Sequence, residues 1–283
     1  MALSPVLRAI LSDPGLRAAS VMSVLLGAAA CTFGPFMAQL AVQQFALGDT
    51  GYALLLAVST LVMVSASLFV GIRSDQTGRR RGLALACAAL SVAGSGLMVV
   101  APTRVSFILA HGLILPMAAL FGQIFALARI AAQKHPAALH DGILASVRAL
   151  FALPFVVVLP LWSLAFSHGA SVMAIYPAGL AIGAVMLAVT WAWWPADAVL
   201  ERHAAKSGLS LRAAMKELTH PAITFRLLAL GAIGSTGTVY WSVLSLILGP
   251  EAGRGTADVA LYAGLVAGLE VPFMLRCPDF AEA

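Results

Sequence analysis

Charged residues are scarce in this sequence, and long polar stretches are scarcer still. Asp, Glu, Lys and Arg make up 10% of the 283 residues, whereas 61% are hydrophobic, and the mean hydropathy is +0.95. Water-soluble domains carry about 25% charged residues, so this composition excludes them. We therefore expect an integral membrane protein that contacts the lipid bilayer along most of its length.

Cysteines are few as well, and familiar catalytic motifs do not occur. Cys31, Cys87 and Cys277 have no metal-ligand spacing, and cysteines within apolar runs usually act as small packing residues. The chain contains no H-E-x-x-H, G-x-S-x-G or G-x-x-x-x-G-K-[ST] motif, which argues against a metallopeptidase, a serine hydrolase and an ATP-driven pump. We expect no enzymatic activity, no cofactor and no metal site.

Eight apolar runs have about the 20 residues or more that a helix needs to cross roughly 30 Å of hydrocarbon. The predicted spans are 18–44, 51–72, 82–101, 105–128, 143–166, 170–194, 224–248 and 257–275. Six spans precede the longest polar stretch, and two follow it. The prediction is an all-α polytopic membrane protein with a six-helix N-terminal half (1–194), a cytoplasmic connector (195–223) and a partial C-terminal half (224–283).

The basic residues alternate between the two sides of this topology. All lysines and arginines except Arg104 and Arg254 fall in the two termini or in the segments 73–81, 129–148 and 202–226. Because positively charged loops stay cytoplasmic, both termini are predicted to be cytoplasmic. The formal net charge of +5 is explained by this orientation and does not indicate binding to nucleic acid.

The segment GIRSDQTGRRR joins the second and third spans and carries four arginines and one aspartate. Its spacing resembles the G-x-x-x-D-x-x-G-R-[RK]-[RK] signature of the major facilitator superfamily, with the matching residues Gly71, Asp75, Gly78, Arg79, Arg80 and Arg81. Gly71 would permit close approach of a helix, and Gly78 a tight turn. Asp75 could pair with a neighbouring arginine or face the N-terminus of another helix. The simpler alternative is a positive-inside loop with a turn glycine.

Further short strings narrow the resemblance. The strings RSD (73–75), FALAR (125–129), SVRA (146–149) and AGLEVP (267–272) are similar to strings at the same places in the bacterial sugar efflux transporters of that superfamily. The resemblance implies a major-facilitator-like bundle that exports sugars or sugar-like molecules across the inner membrane, with protons as the coupling ion. It also implies that GIRSDQTGRRR takes part in the conformational change between transport states.

Polar residues inside the spans are candidates for a solute path. A carboxylate such as Glu270 is costly in a membrane unless it is paired, protonated or facing water, so it could bind a proton as substrate leaves or pair with a neighbouring helix. Arg148 lies less than two turns into the fifth span, where substrate binding and snorkelling to the cytoplasm are both open. Gln39 and Gln123 can donate and accept hydrogen bonds, as sugar hydroxyls require.

Three aromatic residues within the spans have either a functional role or a packing role. Tyr240 and Trp241 could stack on a sugar ring, although such side chains also pack or face lipid. His111 could carry a proton, but a hydrogen-bonded packing role is the more common one for a histidine inside a span.

The chain is shorter than the resemblance implies. Transporters of this kind have two six-helix halves, whereas only two spans follow the connector here. We therefore expect a C-terminally truncated form, in which a partner chain could supply the missing helices. A fragment that does not transport and an exporter of drugs or other solutes remain the alternatives.

Overall fold

The computed structural model describes residues 4–197, 216 and 219–280, with side chains described at all of these positions except 250, 251 and 270–280. All regular structure in these ranges is helical. The helices are α1 (Pro5–Ser12), α2 (Pro14–Gln44), α3 (Gly48–Thr77), α4 (Arg80–Val100), α5 (Arg104–Ile114), α6 (Leu120–Ala132), α7 (Ala137–Ser167), α8 (Val172–Trp193), α9 (Pro221–Gly249) and α10 (Thr256–Phe280).

Six of these helices, α2, α3, α4, α7, α8 and α9, are long and apolar enough to cross a membrane. The chain is therefore a multi-pass membrane protein, as its composition predicts. The eighth predicted span is helical too, as α10. The connector predicted at 195–223, by contrast, falls largely on residues outside the described ranges.

The fourth predicted span, 105–128, is corrected by the structure. In place of one continuous helix there are two short ones, α5 and α6, joined by a non-helical segment at 115–119. Pro116 lies in this segment, and a proline removes one backbone hydrogen bond while its ring clashes with the carbonyl four residues earlier. Local turns satisfy much of the freed backbone, such as the bond from the Ala118 amide to the Leu115 carbonyl at 3.0 Å.

Helix α2 is central to the packing. It contacts α6, α7 and α8, while α4 packs along α8 and α10 packs along α7. Small residues permit these close approaches: a Cβ at Gly27 would meet the backbone carbonyl oxygen of Phe151, and a Cβ at Gly264 would come within 3.2 Å of Pro160. Helix α7 is thereby held between α2 on one side and α10 on the other.

Helix α9 is packed at one end only. Residues 221–239 are exposed, apart from the half-buried Thr224, whereas Leu244 and Ser245 are buried. The contacts of α9 are made chiefly with the second part of α2. This part of α2 is irregular, with a tight turn at Gly34–Phe36 and a widened turn at Leu40–Gln44. Widened turns of this type often occur at functional sites.

Candidate functional site

A cavity of about 400 Å³ lies between α7, α9 and α10. Four aromatic side chains line it together with Thr236 and small residues; the aromatic residues are Phe151, Phe155, Tyr240 and Trp241. The rings of Phe155 and Trp241 are 5.7 Å apart between centroids, and those of Tyr240 and Trp241 are 5.2 Å apart. Predominantly apolar and aromatic walls with a few polar groups are typical of small-molecule sites. We call this space the aromatic cavity.

Two charged candidates lie on the helices that form the aromatic cavity. Arg148 precedes Phe151 by three residues and Ala152 by four, so all three occupy the same face of α7. Its side chain is exposed and makes no hydrogen bond or ion pair with any described residue. Position 270 follows Val266 by four residues on α10, but the side chain of Glu270 is outside the described set.

Gln39 takes part in a polar contact between helices at one end of the bundle. Its side-chain amide Nε2 donates to the Thr256 hydroxyl at 2.8 Å, and its backbone N–H donates to the Ser245 hydroxyl at 3.2 Å. Close by, the Tyr52 hydroxyl donates to the backbone carbonyl of Ser242 at 3.3 Å. These bonds join α2 and α3 to α9 and α10. We call this group of five residues the closed end, and the opposite end, where residues 221–239 of α9 are exposed, the open end.

The GIRSDQTGRRR segment forms a compact network at the other side of the bundle. Arg80, which is largely buried, donates through Nη2 to the Asp75 carboxylate at 2.6 Å and through Nη1 to the Ser74 hydroxyl at 3.3 Å. Gln123 donates to the same hydroxyl at 3.4 Å, and Ser74 itself donates to the Gly71 carbonyl at 2.8 Å. The network therefore ties α3, α4 and α6 together, and Gln123 is not among the residues that line the aromatic cavity.

The two glycines of this segment differ in their surroundings. Gly78 ends α3 with a φ of +70°, a left-handed conformation that favours glycine. Around Gly71 there is open space, and an added Cβ would meet nothing within 4 Å. The close helix approach expected at Gly71 therefore does not occur in this structure. Arg79 is exposed, which suits a residue at the membrane surface.

Arg81 makes contacts that its position in the motif did not predict. Its backbone N–H donates to the Asp197 carboxylate at 2.8 Å, and its guanidinium donates to the Trp191 carbonyl. These bonds fasten the start of α4 to the end of α8. The two partners are separated from Arg81 by more than a hundred residues, so the sequence holds no signal for them.

His111 is paired inside the bundle. Its Nε2 lies 3.0 Å from the Tyr176 hydroxyl, both side chains are buried, and the rings of Phe33 and Phe107 pack around the imidazole. This arrangement favours the packing role over the proton-carrying role. Among the described residues, no group of three or more His, Cys, Asp or Glu side chains could hold a metal ion.

Comparison of the chain with protein-family models gives no match, and comparison with curated proteins gives none either.

Proposed function

We propose that the chain is a secondary transporter of the major facilitator type, which exports sugars or sugar-like small molecules by alternating access. The observation that carries this proposal is the aromatic cavity, because one of its walls is α9, which is bonded to α2 and α3 at the closed end and exposed along residues 221–239 towards the open end. Such transporters bind substrate near the membrane midplane and rock around the site. A cavity closed towards one side is what this mechanism requires in each of its two states.

The charge distribution gives the proposed direction of transport. Basic residues cluster at the ends of α3 and α4 where Arg80 and Arg81 lie, and positively charged segments stay in the cytoplasm. We accordingly place both termini in the cytoplasm and the chain in the inner membrane. The open end then faces the cytoplasm, so the described conformation is one that loads an exported solute.

Charged residues near the aromatic cavity supply the proposed coupling. Arg148, exposed on the cavity-lining face of α7, is suited to bind substrate hydroxyl groups or to balance a nearby carboxylate. Glu270, one helical turn from Val266 on α10, is the proposed proton-binding group. A proton would bind to this carboxylate and neutralise it in one conformation, and it would dissociate from the carboxylate in the other conformation.

A second candidate is the export of a more apolar solute. The walls of the aromatic cavity offer four rings but few polar groups, chiefly the hydroxyls of Thr236 and Tyr240. A pocket of this kind also fits amphipathic compounds, for which apolar contact contributes most of the affinity. The exposed length of α9 further favours an assembly in which additional helices, from a partner chain, cover it.

The test is uptake of labelled sugars into inside-out vesicles that contain the inserted chain, with and without a proton gradient. We expect saturable, gradient-dependent uptake. Replacing Tyr240 by alanine removes a stacking surface worth about 0.5–1.5 kcal/mol, so KM should rise by about 2- to 12-fold. The matched control is Tyr262→Ala, at an exposed position of α10 outside the cavity, which should leave KM unchanged. Glu270→Gln should abolish the dependence on the gradient but preserve sugar exchange.

The outcomes separate the candidates. No gradient-dependent uptake of any sugar by a chain shown to be inserted would overturn sugar export. Saturable uptake of an amphipathic dye in the same vesicles, again weakened by Tyr240→Ala, would establish the second candidate instead. Unchanged coupling in Glu270→Gln would refute the proton role of this residue.

A further inference from the structure

A second recess lies on the opposite side of the molecule from the closed end. It is a groove of about 400 Å³ between the first turn of α2 and the last turn of α8, lined by Pro14, Arg17, Ala192 and Trp193. The chain beyond α8 passes close to this site, since a Cβ at Gly15 would lie 3.7 Å from the Pro195 ring. The groove is separate from the aromatic cavity, which is formed by α7, α9 and α10.

Among the described residues, no neighbouring carboxylate balances the positive charge of Arg17 in this groove. Asp13 is the nearest acidic residue along the chain, but its Oδ1 accepts from the amides of Gly15 and Leu16 at 2.7 and 3.0 Å, and its Oδ2 pairs with Lys134 at 3.3 Å. Arg17 is exposed and makes no hydrogen bond or ion pair with any described residue. Its guanidinium therefore has all of its donors available to an anion that enters the groove.

Asp197, which follows α8, is also occupied. Asp197 accepts the backbone N–H of Arg81 at 2.8 Å, while the guanidinium of Arg81 donates to the Trp191 carbonyl. Among these described residues, the charges of Lys134 and Arg81 offset those of Asp13 and Asp197, so the positive charge of Arg17 remains in excess. A local excess of positive charge favours an anionic occupant over a zwitterionic one.

The apolar wall of the groove identifies what kind of anion fits. Trp193 is 55% exposed and Trp191 is 69% exposed at the end of α8, and tryptophans at helix ends are typical of the level of the lipid headgroups. An arginine beside such a ring can bind a phosphate while the ring lies against the glycerol and the first methylene groups. A free inorganic phosphate would gain nothing from that ring.

We propose that this groove binds the headgroup of an anionic phospholipid from the cytoplasmic leaflet, with Arg17 on the phosphate and Trp193 against the glycerol region. The proposal relies on the cytoplasmic location of the N-terminus but not on sugar transport. Lipid binding in this groove would join the start of α2 to the end of α8 at the membrane surface.

The experiment counts lipids bound to the full-length purified chain by native mass spectrometry, during titration with phosphatidylglycerol or phosphatidylcholine. We expect preferential binding of phosphatidylglycerol. Arg17→Gln should weaken it about five-fold, which corresponds to about 1 kcal/mol for one basic residue near the surface. Arg17→Lys should retain most of the affinity. Arg8→Gln is the matched control, because Arg8 is exposed on α1 and lies outside the groove.

Three results would overturn the proposal. Equal weakening by Arg8→Gln and Arg17→Gln would mean a diffuse basic surface without a site. Displacement of the lipid by inorganic phosphate would indicate a site for the free anion, and equal binding of phosphatidylcholine would remove the role of charge. If Arg17→Gln does not fold, Trp193→Ala is tested in its place, with Trp191→Ala as its control. Weaker phosphatidylglycerol binding in Trp193→Ala than in Trp191→Ala supports a site in the groove, and equal binding in the two variants rejects that site. None of these readouts depends on transport.

Discussion

Breaking the polar contact at the closed end should expose residues that the contact now buries. Gln39→Ala removes the side-chain amide that bonds to Thr256 at 2.8 Å, and Thr256→Val removes the hydroxyl at nearly constant volume. The backbone bond from Gln39 to Ser245 is unaffected by the first change. We therefore expect the closed end to open more often without loss of the fold.

The size of the effect follows from the energy of a hydrogen bond between membrane helices. Such bonds average about 0.6 kcal/mol and reach about 1.7 kcal/mol. With about 1.4 kcal/mol for each factor of ten, loss of the bond should raise the population of the open form by about 3- to 16-fold. Because both substitutions remove the same bond, the double variant should open little more than either single variant.

The assay is alkylation of a cysteine introduced at Leu244, a buried position on α9 within the closed end's surroundings, by a membrane-impermeant maleimide. Its rate reports the open population when closing is faster than the reaction. The blank is the chain without this cysteine, which measures the reaction of Cys277, whereas Cys31 and Cys87 are buried. Ser235→Ala, at an exposed site on the same helix, is the control and should leave the rate unchanged. An unchanged rate in Gln39→Ala, or single-variant effects that multiply in the double variant, would refute the reasoning.

Two further predictions concern glycines and are measured by thermal unfolding in detergent. Gly27→Ala should destabilise the fold by about 1–3 kcal/mol, as overpacking does, because its Cβ would meet the carbonyl oxygen of Phe151. Gly122→Ala is the matched control: its Cβ would enter open space, so the substitution should be neutral or should stabilise the fold by up to about 1 kcal/mol. Equal midpoints for these two variants would contradict the close contact of α2 with α7. Gly78→Ala places a Cβ at a φ of +70° and should cost about 1 kcal/mol, whereas Gly71→Ala should cost less because its Cβ meets nothing. The reverse order would show that Gly71 is packed after all.

Prolines illustrate how far the sequence determines the helices. Pro116, Pro154 and Pro160 all lie inside predicted spans. Of these three, only Pro116 coincides with a break in the helix, whereas α7 continues through Pro154 and Pro160. Helix α7 is packed between α2 and α10, so its neighbours hold it in place despite the missing hydrogen bonds. Around Pro116 the backbone leaves the helical conformation between α5 and α6, although Leu115 lies close to Gly94 of α4. A proline therefore marks a weak point in a span, but its presence in the sequence does not decide whether the helix ends there.

The candidate site shows the same division between what the sequence predicts and what the structure decides. Its polar members could be found from the sequence, because a glutamine, arginine or glutamate inside an apolar run is conspicuous. Their partners could not, since Gln39 bonds to Thr256 across more than two hundred residues and Gln123 bonds to Ser74 in the GIRSDQTGRRR network. Of the predicted residues with described side chains, only Tyr240 and Trp241 line the aromatic cavity.

The sequence by itself determined that the chain is a membrane protein and where its spanning helices approximately lie. It could do so because a run of about 20 apolar residues is a local property that matches the thickness of the hydrocarbon core. It also located the turn at Gly78, whose left-handed backbone depends on a single residue. The tertiary structure decided which faces of the helices meet. That choice depends on close approaches such as Gly27 on Phe151, and so it alone produced the aromatic cavity, the closed end and the unpaired Arg17 in its groove.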